Sequence, residues 1–447
     1  MEIPLYIHLI KYHNSGRVSF AMPGHKNGRG LLKNIIDCDV TELDATEDLH
    51  EPGEVLLRSQ EMISKVYGVD ESFILTSGAT TGIQAMIAAV YKKGGVLLSS
   101  PDCHMSVINA CALMGVQLMF APMKYDSFGH CTGFDYEKLE DILNKEKLIC
   151  AVIAVSPDYY GICKNISKTA HICHKYDIPF LVDGAHGAHF ASSDIFSDFN
   201  GADCIVMSAH KTLNALTGAA YVHLNGNRVN KERLKIALGM FGSSSPSYVI
   251  AASAEAAALT MDKSEWERTA KRCTELKKSI SMPSLVNDDP TRMVFFTGEK
   301  TGFEVEKLLA DEFGIDIEMA DLHSIVLIAT PSNTEDDFER LKKALSKISN
   351  TLEPTECKAI LPTSEIFSPS DGFFGECESV NIDDALGRIA ASTVMAYPPG
   401  IPVICCGGKI TEQMIENIKE LQKAGAKLKG IDKDLMVNVY RNNQMHG

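Results

Sequence analysis

Short apolar runs alternate with segments of helical period between residues 55 and 260. The apolar runs have the length of buried strands, and the segments between them repeat apolar positions as amphipathic helices do. This alternation predicts an α/β fold with a doubly wound, mostly parallel sheet that binds ligands at the carboxyl ends of its strands. The predicted strands are Phe73–Thr76, Val96–Ser99, Val116–Phe120, Cys150–Val155, Phe180–Val182, Cys204–Met207 and Ala219–Leu224. The predicted helices are Val55–Tyr67, Ile83–Tyr91, one opened by His104, Leu139–Leu148, Ile166–Tyr176, 229–240 and Tyr248–Thr260.

The whole chain is predicted to divide into four parts. Residues 1–54 form an N-terminal arm with little core of its own, and residues 55–285 form the large domain. Residues 286–350 form a small α/β domain, and residues 351–447 form a third domain after a linker at Thr351–Thr355. The further predicted elements are helix Glu265–Ile280, strands Met293–Thr297 and Ile325–Ala329, and helices Phe303–Phe313 and Glu335–Ile348.

Composition and charge narrow the class of protein. The 447 residues are 45% hydrophobic and carry a net charge of −15, which disfavours nucleic acid and anionic membranes as partners. The chain does not begin with a basic segment followed by an apolar one, and no apolar run approaches the roughly 18 residues that a membrane helix needs. The thirteen cysteines are scattered without a Cys-x-x-Cys pair. We therefore expect reduced thiols in a cytoplasmic protein.

Two strand ends carry a candidate pair of catalytic residues. Asp183 follows the run Phe180–Val182, and Lys211 lies just past Cys204–Met207 among small residues. Such a lysine is a candidate for Schiff-base formation, and a carboxylate beside a pyridine nitrogen keeps that nitrogen protonated, so that the ring draws electrons. Pyridoxal phosphate enzymes of the aspartate aminotransferase fold have the two residues in this order. On local sequence alone, such a lysine is usually a solvated surface charge, and such an aspartate can simply cap a turn.

Three further features have both a structural and a functional interpretation. The loop Ser77–Gly82 separates a predicted strand from a helix, where backbone N–H groups and the helix dipole bind phosphate, although an ordinary N-cap has the same composition. His104, at a helix start, can stack on a cofactor ring or be structural. His186, His189 and His210 suggest a zinc site, which we set aside because no Cys or acidic third ligand is near them in sequence.

Motifs along nearly the whole chain resemble the Orn/Lys/Arg decarboxylase family of fold-type I pyridoxal phosphate enzymes, in a short form without an N-terminal wing domain. The resemblance implies an aspartate aminotransferase-like fold with a small α/β domain and a C-terminal α+β domain. The matching segments, in the family's order, are Pro23–Lys26, Thr41–Asp44, Asp48–Pro52, Gly82–Ile87, Asp183–His189, Ser208–Leu216, Ser243–Tyr248, Ala385–Ala391 and Tyr397–Val403.

The resemblance also implies a role for each candidate residue. Lys211 would bind pyridoxal 5'-phosphate covalently, Asp183 would pair with the ring nitrogen, His104 would stack above the ring and Ala185 would pack below it. The implied activity is decarboxylation of arginine, lysine or ornithine by a homodimer with a shared active site. Without a wing domain we expect dimers, or at most dimers of dimers. The residues implied to hold the phosphate are Gly78, Ala79, Thr80, Ser208 and His210, together with Ser243 and Ser245 of the neighbouring subunit.

Four positions depart from the family pattern. Gly184 stands where an acidic residue is usual, Ala209 replaces a hydroxyl residue, Met105 stands where a lysine is common, and the segment around Ser370 lacks the usual Arg-Glu-Ala. None of the four changes removes a residue that the resemblance assigns to the cofactor. The changes therefore bear on the choice of substrate. Elimination or transamination on the same fold, or a catalytically silent homologue that binds a partner, are the alternatives.

The carboxylate that pairs with the distal cation of the substrate is also open. A guanidinium or ammonium group needs such a partner. The candidates are Glu42, Asp44, Asp371 and Glu376.

Overall fold

The computed structural model of the chain describes residues 18–20, 42, 47–349, 365–397 and 400–441. The motif Pro23–Lys26, the candidate Asp44 and the predicted linker Thr351–Thr355 lie outside the described residues. In the described parts, every cysteine is free, and no helix combines the length and the apolar character that crossing a bilayer requires.

A seven-stranded sheet forms the centre of the large domain. Its strands, numbered along the chain after β1 (Val18–Ser19), are β2 (Glu71–Leu75), β3 (Val96–Ser99), β4 (Gln117–Phe120), β7 (Ile149–Val155), β8 (Phe180–Asp183), β9 (Cys204–Met207) and β10 (Ala220–Leu224). The order across the sheet is β2-β10-β9-β8-β7-β3-β4. Strand β10 runs antiparallel to both of its neighbours, and the strands from β9 to β4 pair in parallel. The predicted mostly parallel sheet is confirmed.

Helices cover both faces of this sheet, and a short hairpin of β5 (Met123–Tyr125) and β6 (Cys131–Phe134) lies between β4 and β7. The helices of the large domain are α1 (Val55–Tyr67), α2 (Ala79–Val90), α3 (Met105–Met114), α4 (Tyr136–Lys145), α5 (Ile166–Lys175), α6 (Ala209–Thr212), α7 (Lys231–Phe241), α8 (Tyr248–Leu259) and α9 (Lys263–Ser279).

Strand β7 shows why the sheet needs cover on both faces. All of its residues are buried. Val152 and Ala154 pack in one hydrophobic cluster with residues of α4 and α5, whereas Ala151 and Ile153 pack in another with residues of α2 and α3. Because successive side chains of a strand point to opposite faces, one continuous apolar run supplies two cores.

Side-chain caps set the beginnings of several helices. Each cap accepts a hydrogen bond from the backbone N–H three residues later, as N-cap residues do. Asp135 caps α4 in this way, so the helix spans Tyr136–Lys145 and the predicted range of 139–148 was displaced toward the carboxyl end. The other caps of this kind are Asn165 for α5, Asn230 for α7, Ser247 for α8 and Asp262 for α9.

The small domain is an antiparallel sheet covered by two helices. Its sheet has the order β11 (Arg292–Phe296), β14 (Ser324–Ile328), β13 (Met319–Ala320). Strand β1 pairs in parallel with the separate strand β12 (Ile315–Asp316). Val18 and Phe20 are buried in the small-domain core, so this part of the predicted arm belongs to that core. The elements are β11 (Arg292–Phe296), α10 (Gly302–Phe313), β12 (Ile315–Asp316), β13 (Met319–Ala320), β14 (Ser324–Ile328) and α11 (Glu335–Ile348).

The C-terminal domain is α+β and docks beside the amino-terminal half of the large domain. Phe367 and Leu118 exchange two backbone hydrogen bonds of 2.9 Å. Helix α12 (Pro369–Phe374) packs on α3. The domain therefore lies close to His104, which precedes α3. Its elements are α12 (Pro369–Phe374), β15 (Cys377–Asn381), β16 (Val394–Ala396), β17 (Pro402–Ile404), α13 (Glu412–Lys423), β18 (Leu428–Lys429) and β19 (Met436–Tyr440).

Candidate active site

Lys211 is carried by α6, the short helix that follows β9. Ser208 is the buried N-cap residue of this helix, and its carbonyl accepts a 3.4 Å hydrogen bond from the backbone N–H of Lys211. The side chain of Lys211 is half-buried. Burial lowers the pKa of its amine, and the charge of Arg292 acts in the same direction against the opposing carboxylates of Asp183 and Glu318. The net lowering favours the free amine.

Asp183 ends β8, the strand beside β9, and is buried. The two strands run parallel with Asp183 opposite Val206, so Asp183 and Lys211 lie at the same edge of the sheet. One carboxylate oxygen, Oδ1, accepts a hydrogen bond of 3.1 Å from the backbone N–H of Ala185. Burial raises the pKa of Asp183, while the charge of Lys211 opposes that rise. The two strand-end residues therefore lie close enough for each charge to shift the pKa of the other.

His186 lies between Lys211 and a buried arginine. Its Nε2 is 3.0 Å from Nζ of Lys211, and its Nδ1 is 2.9 Å from Nη2 of Arg292. The same Nη2 donates a 3.2 Å hydrogen bond to the carbonyl oxygen of His186. Burial, followed by the positive charges of Lys211 and Arg292, holds the pKa of His186 well below its usual range. The imidazole is therefore neutral at physiological pH.

Tyr159 covers this row of side chains. Its ring centroid is 5.4 Å from Nζ of Lys211 and 4.3 Å from the ring centroid of His186. Glu318 is buried and adds negative charge beside Lys211 and Arg292. Tyr159 belongs to the loop after β7 and Glu318 directly precedes β13, so the large and small domains both contribute to the site.

Arg292 lies beside a buried carboxylate. Its Nε is 3.7 Å from Oδ2 of Asp289, and the same oxygen is 3.2 Å from Nε2 of His189. Burial alone would raise the pKa of Asp289, but the neighbouring His189 and Arg292 lower this pKa to about 2. Gly161 makes room for the arginine, because a Cβ at this glycine would lie 2.8 Å from Cβ and Cγ of Arg292.

The loop before α2 presents backbone N–H donors at the same edge of the sheet as Asp183 and Lys211. Gly78 is the N-cap residue, with φ 81° and ψ 170°, and no side chain caps the helix. A Cβ added at Gly78 would meet nothing within 4 Å, so space adjoins the loop. Ala79 is buried and Thr80 is exposed. The first N–H groups of α2 thus have the arrangement that binds a phosphate.

The start of β10 joins this loop to α6. The backbone N–H of Gly78 donates to the carbonyl of Gly218 at 2.8 Å, and Nδ1 of His210 donates to the carbonyl of Ala219 at 3.0 Å. The neighbouring carbonyls of Gly218 and Ala219, just before β10, therefore hold the loop before α2 and the helix of Lys211. The loop of Gly78 and the helix that carries His210 and Lys211 therefore lie side by side.

His104 is the N-cap residue of α3. Its Nδ1 accepts a 3.2 Å hydrogen bond from the backbone N–H of Ser106. Burial and the charge of Lys211 lower the pKa of His104 to about 4, so the ring is neutral. The C-terminal domain passes over it, because a Cβ at Gly400 would lie 3.6 Å from Nε2 of His104.

Ser243 and Ser245 lie apart from these residues on an exposed loop. Their hydroxyls are 3.3 Å apart, and the carbonyl of Ser243 accepts a hydrogen bond of 2.8 Å from Nε2 of His50. A residue that reaches the active site of a second subunit must be exposed in the single chain, as these two serines are. Asp371 and Glu376 are also exposed, and Glu42 is half-buried.

Packing explains one departure from the family pattern. A Cβ at Gly184 would lie 3.2–3.3 Å from Phe199, Ile205 and the backbone oxygen of Val206. These contacts are tight, so an acidic side chain would have to displace its neighbours. Ala209 is fully buried, whereas Met105 and Ser370 are half-buried.

A cavity of about 320 Å³ lies between the three domains beside Tyr159. Its acidic lining residues are Asp102, Asp158 and Asp321, and C-terminal residues from Ile401 to Lys409 close one side. Burial raises the pKa of Asp158 to about 6, against the opposing charge of Lys164. A cationic group in this cavity would favour the charged carboxylate.

Arg292, Tyr159 and Glu318 were not predicted as site residues, and His186 was considered only as a zinc ligand and within the motif Asp183–His189. Arg292 begins β11, where the predicted strand started at Met293. A basic side chain next to an apolar run normally marks the end of a strand, where it is exposed to solvent. Its partner His186 is 106 residues away in sequence, and no local pattern indicates such a contact.

Comparisons with known proteins agree with this architecture. The Orn/Lys/Arg decarboxylase major domain matches residues 3–296, and the C-terminal domain of the same family matches residues 370–446. The chain is 28% identical to the arginine decarboxylase of Bacillus subtilis (strain 168) over 467 aligned residues, covering 96% of this chain and 95% of the relative.

Two solved structures show the same fold. The constitutive lysine decarboxylase of E. coli is similar with a TM-score of 0.75 and 19% identity, covering 98% of this chain and 82% of that one. An alanine–glyoxylate aminotransferase from Nostoc sp. is similar with a TM-score of 0.57 and 16% identity, covering 74% of this chain and 95% of that one. The predicted aspartate aminotransferase-like fold is confirmed.

Proposed function

Since this chain belongs to the Orn/Lys/Arg decarboxylase family, we propose that it is a pyridoxal phosphate-dependent enzyme that removes the α-carboxyl group of a basic amino acid as CO2. The observation that carries the proposal is the meeting of Lys211 with Asp183 at the carboxyl edge of the sheet. A silent homologue would have no need to keep a buried carboxylate opposite a lysine whose pKa is lowered.

The residues at this edge fit pyridoxal phosphate in three respects. Lys211 offers an amine, Asp183 offers a buried carboxylate, and the N-terminus of α2 offers N–H groups without a side-chain cap beside open space at Gly78. Ser208 and His210 adjoin the lysine, as a phosphate site requires. We propose these residues, with Ala79, Thr80, His104 and Ala185, as the cofactor site.

When bound, pyridoxal phosphate supplies an aldehyde that condenses with amines and a protonated ring that takes up the electrons left by departing CO2. Asp183 would keep a proton on the pyridine nitrogen, because a buried carboxylate is stabilised by pairing with a protonated nitrogen. His104 is neutral and half-buried, so it can cover one face of a planar ring. Tyr159 and the C-terminal segment at Gly400 lie beside these groups.

We propose the cavity beside Tyr159 as the place for the distal cation of the substrate. Asp158 is the best candidate partner, because its buried carboxylate, with a pKa raised to about 6, would be stabilised by a guanidinium or ammonium group. Asp102 already pairs with Lys164, and both carboxylate oxygens of Asp321 accept hydrogen bonds. Asp158 accepts 2.9 Å hydrogen bonds from the backbone N–H groups of Tyr160 and Ile162, and both end on its Oδ1. An Asp158→Asn variant should raise KM for the basic amino acid at least tenfold, about 1.4 kcal/mol, with a smaller change in kcat.

The direct test combines absorbance with product analysis. The purified protein should develop the visible absorbance of lysine-bound pyridoxal phosphate and release CO2 from arginine, lysine or ornithine. Lys211→Ala should lose both properties, whereas Lys145→Ala, which changes an exposed lysine of α4, should lose neither. Full turnover in Lys211→Ala, or formation of a keto acid in place of an amine and CO2, would overturn the proposal.

We further propose a homodimer in which Ser243 and Ser245 reach the phosphate of the partner subunit. Ser245→Glu should abolish activity, because a carboxylate repels the phosphate. Mixing this variant with Lys211→Ala should restore about one quarter of wild-type activity, since half of the dimers are mixed and each mixed dimer has one intact site. Activity that stays absent after subunit exchange would argue against the shared site.

A further inference from the structure

The contact with Arg292 fixes which ring nitrogen of His186 carries the proton. A guanidinium group has donors and no acceptor, so Nδ1 of His186, 2.9 Å from Nη2, must accept. A neutral imidazole has one N–H, which then lies on Nε2. The second bond from the same Nη2, to the carbonyl oxygen of His186 at 3.2 Å, keeps the guanidinium aligned with the ring.

The consequence falls on Lys211. The protonated Nε2 of His186 is 3.0 Å from Nζ, where it can donate only to a nitrogen that has a lone pair. An ammonium group would set one N–H against another. We infer that His186 is a positioning residue that favours the free-amine form of Lys211, because Arg292 fixes its tautomer. This inference rests on the proposed function, since it concerns the lysine that captures the cofactor.

Capture of an aldehyde is the step that needs the free amine. The electron pair of Nζ forms a bond to the carbonyl carbon, this bond becomes C=N, and the C=O bond breaks. The oxygen leaves as water together with the two amine hydrogens. An ammonium ion has no electron pair to begin this step.

Charged groups from every neighbouring element act on the same proton. Asp183 and Glu318 favour the ammonium form, and so does the face of an aromatic ring. Burial and the guanidinium charge favour the amine, and their effect prevails in the lowered pKa of Lys211. The groups around this amine are Asp183 on β8, His186 after it, Glu318 before β13, Arg292 on β11, His104 before α3 and Tyr159 after β7.

The test measures this amine in the full-length chain before cofactor is added. Competitive labelling with acetic anhydride across pH, read by mass spectrometry, reports the free-amine fraction of Lys211 against the exposed Lys145 in the same sample. In His186→Phe we expect the apparent pKa of Lys211 to rise by about one unit, which leaves about tenfold less free amine at neutral pH. The matched control is His223→Phe, at another buried histidine, and it should leave the titration unchanged.

Conservative variants separate hydrogen bonding from packing. His186→Gln keeps a long amide that can accept from Arg292 and donate to Lys211, so it should recover most of the wild-type titration. His186→Asn has a shorter amide that reaches Arg292 but not Lys211, and it should behave as His186→Phe does. This smaller change also repeats the test if the phenylalanine variant does not fold.

Addition of pyridoxal phosphate gives a second measurement. The rate at which visible absorbance appears should fall about tenfold in His186→Phe at neutral pH and approach the wild-type rate at high pH. A titration of Lys211 that is the same in His186→Phe, His186→Asn and wild type would overturn the inference, even if the wild type released CO2. A wild type with reactive Lys211 that never captures the cofactor would instead overturn the proposed function.

Discussion

A buried ion pair between Lys164 and Asp102 gives a prediction whose size follows from burial. Nζ of Lys164 is 2.6 Å from Oδ2 of Asp102 and donates a 2.7 Å hydrogen bond to the carbonyl of Val155. The Lys164 side chain is fully buried, and that of Asp102 is 13% exposed. Burial alone would lower the pKa of Lys164, yet the neighbouring Asp102 and Asp158 raise it above its usual value. Lys164 is therefore charged in the folded protein.

Lys164→Met should destabilise the protein by about 3–5 kcal/mol, because it leaves the Asp102 carboxylate buried without its counter-charge. A double variant, Lys164→Met with Asp102→Asn, removes both charges and should recover most of this loss. Lys145→Met is the matched control. Its ammonium is 2.7 Å from Asp141, nearly the same separation, but the two side chains are 71% and 55% exposed. We expect this change to cost about 0–1 kcal/mol.

Urea unfolding followed by tryptophan fluorescence measures these differences. Trp266 is the single tryptophan of the chain, and it is buried in the core of the large domain, which contains the ion pair. All variants should be freed of cofactor, so that altered cofactor binding does not shift their apparent stability. Equal losses in Lys164→Met and the double variant, or a loss at Lys145 as large as that at Lys164, would refute the argument from burial.

Four further substitutions have expected outcomes. Gly82→Ala in α2 should lower stability by about 1–3 kcal/mol in thermal unfolding, because its Cβ would lie 2.9–3.0 Å from three aliphatic carbons of the sheet; Gly239→Ala, where nothing lies within 4 Å, should instead stabilise α7 by about 0.5–1 kcal/mol. Burial lowers the pKa of His223 to about 3. The unfolded chain therefore binds a proton that the folded protein does not, and the free energy of unfolding falls as the pH drops below 6.5. Between about pH 6.5 and 5, the free energy of unfolding of His223→Phe, measured by urea titration, should fall by about 2 kcal/mol less than that of wild type. Asp183→Asn should still bind cofactor by absorbance while CO2 release falls about 10²–10³-fold, and an unchanged rate would contradict the role of the carboxylate.

Local sequence predicted the elements that have a clear apolar pattern. The bounds of β3, β9 and α11 agree with the predicted ranges, because each is an apolar run or an amphipathic repeat that ends in polar residues. The start of α2 was missed: the helix begins at Ala79, four residues before the predicted Ile83. Thr80, Thr81 and Gly82 are weak helix formers, and packing of Gly82 against the sheet stabilises a turn that propensity alone does not favour.

The strand-end position of Asp183 and Lys211 was predictable for a physical reason. Parallel strands share a carboxyl edge, so residues that follow two adjacent strands meet there whatever the rest of the chain does. The order of β8 and β9 within the sheet could not be read from the sequence, yet the short crossover between them favoured neighbouring positions. Domain bounds, by contrast, stay a prediction. The second half of α9 packs with the small-domain core through Cys273 and Leu276, although it precedes the predicted division at residue 285.

The environment of Lys211 depends on contacts that no local pattern encodes. His186 is fixed by an arginine from another domain, and the arginine in turn requires a carboxylate at Asp289 and the absence of a side chain at Gly161. Each of these residues looks ordinary in its own stretch of sequence. Since Arg292 begins β11 in the small domain, any movement of that domain against the large sheet would break the contact that sets the tautomer of His186. The free amine of Lys211 is therefore tied to the docking of two domains, and a variant that loosens this docking should raise the apparent pKa of Lys211 even if no residue of the site is changed.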